Sequence, residues 1–299
     1  MTTSQDFSAW TKGVQARMED ALKEYLPATA EVPQRLHEAM RYAVLDGGKR
    51  VRPLLVFAAG DLFGAGEAVL SRAAAAVEMI HAYSLVHDDM PCMDDDELRR
   101  GKPTVHVQYD EATALLVGDA LQSQAFLALS EGELDVDPAR RLAMVRELAR
   151  ASGSVGMCGG QAIDLASVGH KLTLEQLEQM HRMKTGALLR VSVLLGALAG
   201  KELSVAEVAS LNAYSKAVGL AFQVVDDVLD ATEDSATLGK TAGKDAADNK
   251  PTYVSILGLE ESKVLAEQLR GDAHDALAPF GDKARRLREI ADLIVQRKA

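Results

Sequence analysis

Apolar residues recur at intervals of three and four along most of the chain, as at Leu142, Val145, Leu148 and Ala149, and again at Leu174, Leu177, Met180, His181 and Met183. That spacing lays one apolar stripe along a helix, and the alternation of half-buried strands is nearly absent. Two helix starts carry side chains able to cap free N–H groups: Thr173 with Gln176 three residues on, and Ser204 with Glu207 in the same relation. Breaks are predicted at Gly47–Gly48, Gly64 to Gly66, the acidic turn from Glu131 to Pro138, and Gly159–Gly160. These cuts leave about ten helices. With no linker and no low-complexity tract, residues 1–299 read as a single all-α domain. Leu188 to Gly200, which carries Arg190, reads as a buried core helix, and no stretch reaches the roughly 18 apolar residues of a membrane span.

Composition supports the helical reading and narrows the partners. Aromatic residues are only 4% of the 299, while good helix formers such as Ala, Leu, Met, Glu and Arg recur throughout. The 33 Lys+Arg stand against 44 Asp+Glu, and a net charge of −11 argues against nucleic acid as a partner. Met1 to Glu19 is polar, with no apolar run leading to a small-residue cleavage site. Cys92 and Cys158 are too few and too isolated for a disulfide framework. The expectation is a cytoplasmic protein.

The charges are not evenly spread. Asp88, Asp89, Asp94, Asp95 and Asp96 fall within nine positions, straight after the apolar stretch Val77 to Val86. A second cluster, Asp226, Asp227 and Asp230, follows Leu220, Ala221, Phe222, Val224 and Val225. Ionised carboxylates on apolar helices are costly unless compensated, and a hard divalent cation is a natural compensation. At about 100° per residue, Asp226 and Asp230 share one helix face a turn apart. Asp88 and Asp94 would be about 120° out of register on a regular helix. Pro91 lies between them, and a disturbed turn there is expected to bring Asp94 back beside Asp88.

Cations stand close to both clusters in sequence: Arg99, Arg100 and Lys102 after the first, Lys240, Lys244 and Lys250 after the second, and Lys49, Arg50 and Arg52 at the head of an early helix. Acidic and basic clusters side by side suggest polyanions bridged by Mg²⁺ and gripped by Lys and Arg, and two diphosphates would account for both sets. Thr232 to Pro251 has almost no large apolar residue and reads as a loop whose lysines serve the same purpose. Cys92 reads as packing, since thiolate suits softer metals. Asp95 and Asp96 read as solvated or paired with the arginines, and His87 is open between core and site.

Six segments, GGKRVRP (47–53), HAYSLVHDDMPCMDDDELRRGKPTVH (81–106), GDALQ (118–122), GGQAIDL (159–165), KTGALL (184–189) and FQVVDDVLD (222–230), together resemble the trans-isoprenyl diphosphate synthases, and within them the bacterial farnesyl diphosphate synthases. The resemblance implies an antiparallel helix bundle around a deep central cavity and a homodimer. It implies condensation of isopentenyl diphosphate with allylic diphosphates, with three Mg²⁺ ions per site. By motif, Asp88, Asp94 and Asp226 would bind Mg²⁺ directly, with Asp89 and Asp230 in support. Arg99, Lys184 and Lys240 would contact the allylic diphosphate. Gly48, Lys49, Arg52, His81 and Arg100 would hold isopentenyl diphosphate, with Lys250 near the closing tail and residues 232–251 as a lid.

Thr185 and Gln223 would lie near the allylic cation, and the bulky Tyr83, with Ser84 beside it, would limit product length to fifteen carbons. A geranylgeranyl diphosphate synthase is the alternative. A terpene cyclase is disfavoured by the second Lys/Arg set, and a noncatalytic helical subunit by the intactness of both Asp clusters.

Overall fold

The computed structural model describes residues 3–232 and 251–297. Lys240, Lys244, Lys250 and most of the expected lid therefore lie outside the described residues. Among the described residues the fold is all-α apart from one two-stranded hairpin, and their contacts group into two compact units, Met1–Arg146 with Leu195–Lys201, and Glu147–Leu194 with Glu202–Ala299.

The first unit contains α1 (Thr3–Tyr25), α2 (Gln34–Val44), α3 (Val51–Phe63), α4 (Glu67–Asp88), the strands β1 (Leu98–Arg99) and β2 (Lys102–Pro103), α5 (Val105–Gln108) and α6 (Glu111–Ser130). The loops between α2 and α3, between α3 and α4, and between α6 and α7 (Pro138–Ser152) fall where glycine, proline and acidic residues cluster. In α4 the small residues Ala73 to Ala76 are fully buried, which allows neighbouring helices to approach its axis closely.

Arg50 organises the entry to α3. Its guanidinium is buried and donates to Glu78 Oε1 at 2.6 Å, to Glu19 Oε1 at 2.5 Å and to the Val44 carbonyl at 2.8 Å. The same residue adopts a left-handed φ of 52°, so the chain turns sharply where the phosphate-binding segment was expected.

The second unit holds α8 (Met157–Ser167), α9 (Leu174–His181), a π-turn (Arg182–Gly186), the first part of α10 (Ala187–Gly200), α11 (Val205–Thr232), α12 (Tyr253–Leu257), α13 (Leu259–Ala276) and α14 (Arg285–Gln296). The predicted starts are confirmed: Thr173 and Gln176 form a reciprocal capping box, and Ser204 and Glu207 bond each other in the same sense. Tyr214 is fully buried and donates its hydroxyl proton to the Leu287 carbonyl at 2.7 Å, tying α11 to α14.

Two expectations are corrected. Gly159 and Gly160 do not break the chain; both lie inside α8. A Cβ on Gly160 would sit 2.0 Å from the Lys184 nitrogen, so the glycine is there for close approach to the π-turn rather than for a bend. Two helical runs also reach the length and apolarity of a span, α6 and the continuous stretch Leu174–Gly200. The second is mostly buried within the protein, as its reading as a core helix requires, while α6 leaves Leu115, Leu116 and Leu127 exposed.

Replacing Arg50 with Ala leaves the buried Glu78 carboxylate uncompensated, and urea unfolding is expected to show a loss of about 3–5 kcal/mol. A loss below about 1 kcal/mol would show that the triad carries little of the fold.

Candidate active site

The first acidic cluster is built by the end of a helix. α4 stops at Asp88, and the next residues wind into turns in which Asp94 donates its backbone N–H to the Asp88 carbonyl at 2.8 Å. Pro91 follows the helix end instead of kinking a continuing helix, and the disturbed turn around it brings the Asp94 backbone back to Asp88 as expected. Asp89, at the same turn, is only 3% exposed. Burial pushes its carboxyl above the ordinary range, opposed by Arg99, whose guanidinium grips both oxygens with contacts of 2.9, 2.8 and 2.5 Å. Arg99 also approaches Asp96 at 3.7 Å. Cys92 is exposed on this turn, so its reading as a packing residue is withdrawn.

The expected isopentenyl diphosphate residues lie in the same unit. The Arg100 guanidinium lies against Gly48, where a Cβ would come within 2.8 Å of it, and Gly48 has a φ of 91° that other residues rarely adopt. Lys49 is exposed, its carbonyl accepting from Gln15 Nε2 at 3.2 Å, and Arg52 occupies the first turn of α3. His81 is held well below its ordinary pKa, first by burial and then by Arg52 and Arg100. Four of these five residues thus lie near one another, Gly48 against Arg100 and His81 within the field of Arg52 and Arg100, while Lys49 is exposed.

Tyr83 is buried on α4 with its ring edge-on to His87, the centroids 5.9 Å apart. His87, open on sequence grounds, bonds the Leu115 carbonyl of α6 at 3.1 Å and so supports Tyr83. Ser84 turns its hydroxyl to the His81 carbonyl at 2.8 Å.

The remaining expected residues among those described lie in the second unit. Lys184 and Thr185 lie on the π-turn, a local widening of the helix often found at functional sites. Lys184 Nζ donates to Asp164 Oδ2 at 2.5 Å. Thr185 Oγ1 donates to Gln223 Oε1 at 3.3 Å. Asp226 and Asp230 stand one turn apart on α11, and Asp230 is buried. Asp226 is ion-paired with Arg297, whose guanidinium also lies 4.0 Å over the Phe222 ring and bonds the Phe222 carbonyl at 2.9 Å.

The polyprenyl synthetase family model matches residues 33–278. The chain belongs to the polyprenyl synthetase family. The farnesyl diphosphate synthase of Escherichia coli is 49% identical over 264 residues, 87% of this chain and 88% of that protein. A chloroplastic geranylgeranyl pyrophosphate synthase of Catharanthus roseus is 45% identical over 298 residues, 99% of this chain and 83% of that protein. Among solved structures, a geranyltransferase from Helicobacter pylori complexed with magnesium and isoprenyl diphosphate superposes with a TM-score of 0.83 at 34% identity, covering 96% of this chain and 95% of that one.

The donor chemistry of this family member fits Mg²⁺. Asp88, Asp94 and Asp226 offer only oxygen, and a guanidinium already occupies Asp226 as a positive charge would. Among the described residues no three His, Cys, Asp or Glu side chains form a ready cage.

Four contributors had no role in the sequence reading: Asp164, Asp227, His181 and Arg297. Asp164 and Asp227 stand inside quoted motifs, but nothing local connects Arg297 to a residue 71 positions away. His181, 7% exposed, stacks on Tyr253 at 5.7 Å, and neither ring nitrogen has a hydrogen-bond partner among the described residues. Burial brings it down to about 4, helped by Lys184 and opposed by Asp164. Between pH 6.5 and 4 the unfolded chain binds the extra proton, so this group's contribution to stability is intact above 6.5 and lost as pH falls towards 4. His181→Phe, which keeps the stack, is expected to recover on the order of 2 kcal/mol of the stability lost between pH 6.5 and 4.5 in denaturant titrations. An unchanged pH profile would contradict the assignment.

Proposed function

We propose that the aspartate clusters of this chain bind Mg²⁺ against diphosphate oxygens, and that its lysines and arginines hold the same diphosphates while an allylic carbon–oxygen bond breaks. The protein is a trans-prenyltransferase that condenses isopentenyl diphosphate with dimethylallyl and then geranyl diphosphate, and its product is farnesyl diphosphate. The observation that carries the residue assignment is the pairing of each cluster with an internal cation, Arg99 on Asp89 and Arg297 on Asp226.

Mg²⁺, proposed as three ions per site on Asp88, Asp94 and Asp226, would supply Lewis-acid stabilisation of the departing diphosphate. Asp89 and Asp230 support those ligands. Lys184 keeps two donors after bonding Asp164, and Arg99 keeps part of its fork after gripping Asp89, so both can still bind the allylic diphosphate. Lys240, outside the described residues, belongs to the same set, and Lys250, also outside them, is a substrate-binding lysine near the closing tail. Gly48, Lys49, Arg52, His81 and Arg100 hold isopentenyl diphosphate, and a neutral His81 at that point adds hydrogen bonding without a further charge. Thr185 and Gln223 turn oxygen atoms towards the developing allylic cation, which the attacking double bond of isopentenyl diphosphate quenches in a water-poor site. The freed diphosphate takes the final proton.

Tyr83, buried and braced by His87, is the proposed floor that stops growth at fifteen carbons. The relationship to the Catharanthus roseus enzyme favours a twenty-carbon product as the second reading. The exposed apolar residues Leu115, Leu116 and Leu127 of α6 support a homodimer. The proposed setting is the cytoplasm.

Mass analysis of products from isopentenyl and allylic diphosphates is expected to show mainly the fifteen-carbon diphosphate, and Tyr83→Ala to lengthen it. A predominantly twenty-carbon product from the unsubstituted protein would overturn the floor. Asp88→Ala and Asp226→Ala are each expected to lower turnover at least about a hundredfold. Retention of a tenth of the activity would count against the metal assignment.

A further inference from the structure

Asp227 sits inside an acidic motif, yet its surroundings give it a different task. It is 4% exposed. One carboxylate oxygen, Oδ2, accepts the backbone N–H of Tyr253 at 2.8 Å, and the other, Oδ1, accepts Gln223 Nε2 at 3.1 Å. Gln223 passes the interaction on, because its Oε1 accepts the Thr185 hydroxyl at 3.3 Å. A carboxamide is nearly symmetric in shape and can sit either way round; only its neighbours decide which end points where. A carboxylate accepts and never donates, so the end of Gln223 facing Asp227 must be the NH₂. The carbonyl oxygen is then turned to Thr185.

We propose that Asp227 is a positioning residue that sets the orientation of the Gln223 amide, so that a negative dipole rather than a positive one faces the allylic cation. The proposal rests on the prenyl-transfer reading above and adds to it a role for the one aspartate of the second cluster that the metal assignment leaves unused. Burial matters here, since water cannot compete for either carboxylate oxygen and the orientation is held before substrate arrives.

The structure supplies an unusually direct test. In Asp227→Asn the Tyr253 N–H can only donate, so the asparagine oxygen stays opposite it and the new NH₂ group faces Gln223. Gln223 must then turn over to accept, which aims its own NH₂ at Thr185 and at the cation. The expected result is a fall in kcat of at least about thirtyfold, the effect of reversing one preorganised dipole. KM for both diphosphates and the Mg²⁺ concentration for half-maximal rate should change less than about threefold. Adding Gln223→Glu to Asp227→Asn turns one carboxylate oxygen to the new NH₂ and the other to Thr185, and is expected to recover at least about tenfold of the lost kcat.

A kcat for Asp227→Asn within about threefold of the unsubstituted enzyme would overturn the proposal. A loss repaired by raising Mg²⁺ would also overturn it, because that is the behaviour of a metal ligand. If thermal melts show Asp227→Asn to be poorly folded, the paired variant decides: recovery supports the orientation role, and a loss equal to the single variant's overturns it. An unsubstituted protein that forms no prenyl product would instead bring down the reading on which the proposal stands.

Discussion

Carboxylates placed along apolar helices have to be compensated, and the chemistry of this chain follows from how that is done. Water cannot serve residues as enclosed as Asp89, Asp227 and Asp230, and an uncompensated buried charge costs several kcal/mol. The protein answers with its own donors. Arg99 takes Asp89, Lys184 takes Asp164, Arg297 takes Asp226, and a backbone N–H with an amide takes Asp227. These interactions hold charged groups in place in the absence of substrate, which is the condition for electrostatic catalysis without reorganisation at the moment of reaction.

The same constraint separates two kinds of aspartate that look alike in a motif. Asp88, Asp94 and Asp226 are partly exposed, whereas Asp89 and Asp227 are enclosed and held by internal donors. In the proposed metal site the motif is thus also a scaffold: its partly exposed members would meet the cation, and its buried members fix the side chains around it. The Asp164 to Lys184 pair extends this logic to the π-turn, where Gly160 lets α8 come close enough for the contact.

Most of the helical plan was legible in the sequence because it is written in local terms. Capping at Thr173 and Ser204 and the loops at Gly47–Gly48 and Gly64 to Gly66 depend on residues within one turn of one another. Gly159–Gly160 was misread because a glycine pair signals both a bend and a close approach, and only the position of Lys184 in space tells them apart. The aspartates proposed to bind metal could be picked out from composition and spacing. Arg297 on Asp226, the His181–Tyr253 stack and the π-turn could not, since each depends on segments distant in the chain or on a backbone widening that leaves no periodic trace.

The claim that tests everything else is that Mg²⁺ joins these aspartates to diphosphate oxygens. Titration calorimetry with a bisphosphonate as the diphosphate mimic, performed in excess Mg²⁺ and again with the ion chelated, measures it without requiring turnover. The account predicts tight binding with the metal and at least about a hundredfold weaker binding without it, equivalent to about 2.7 kcal/mol. Equal affinity under both conditions would contradict it.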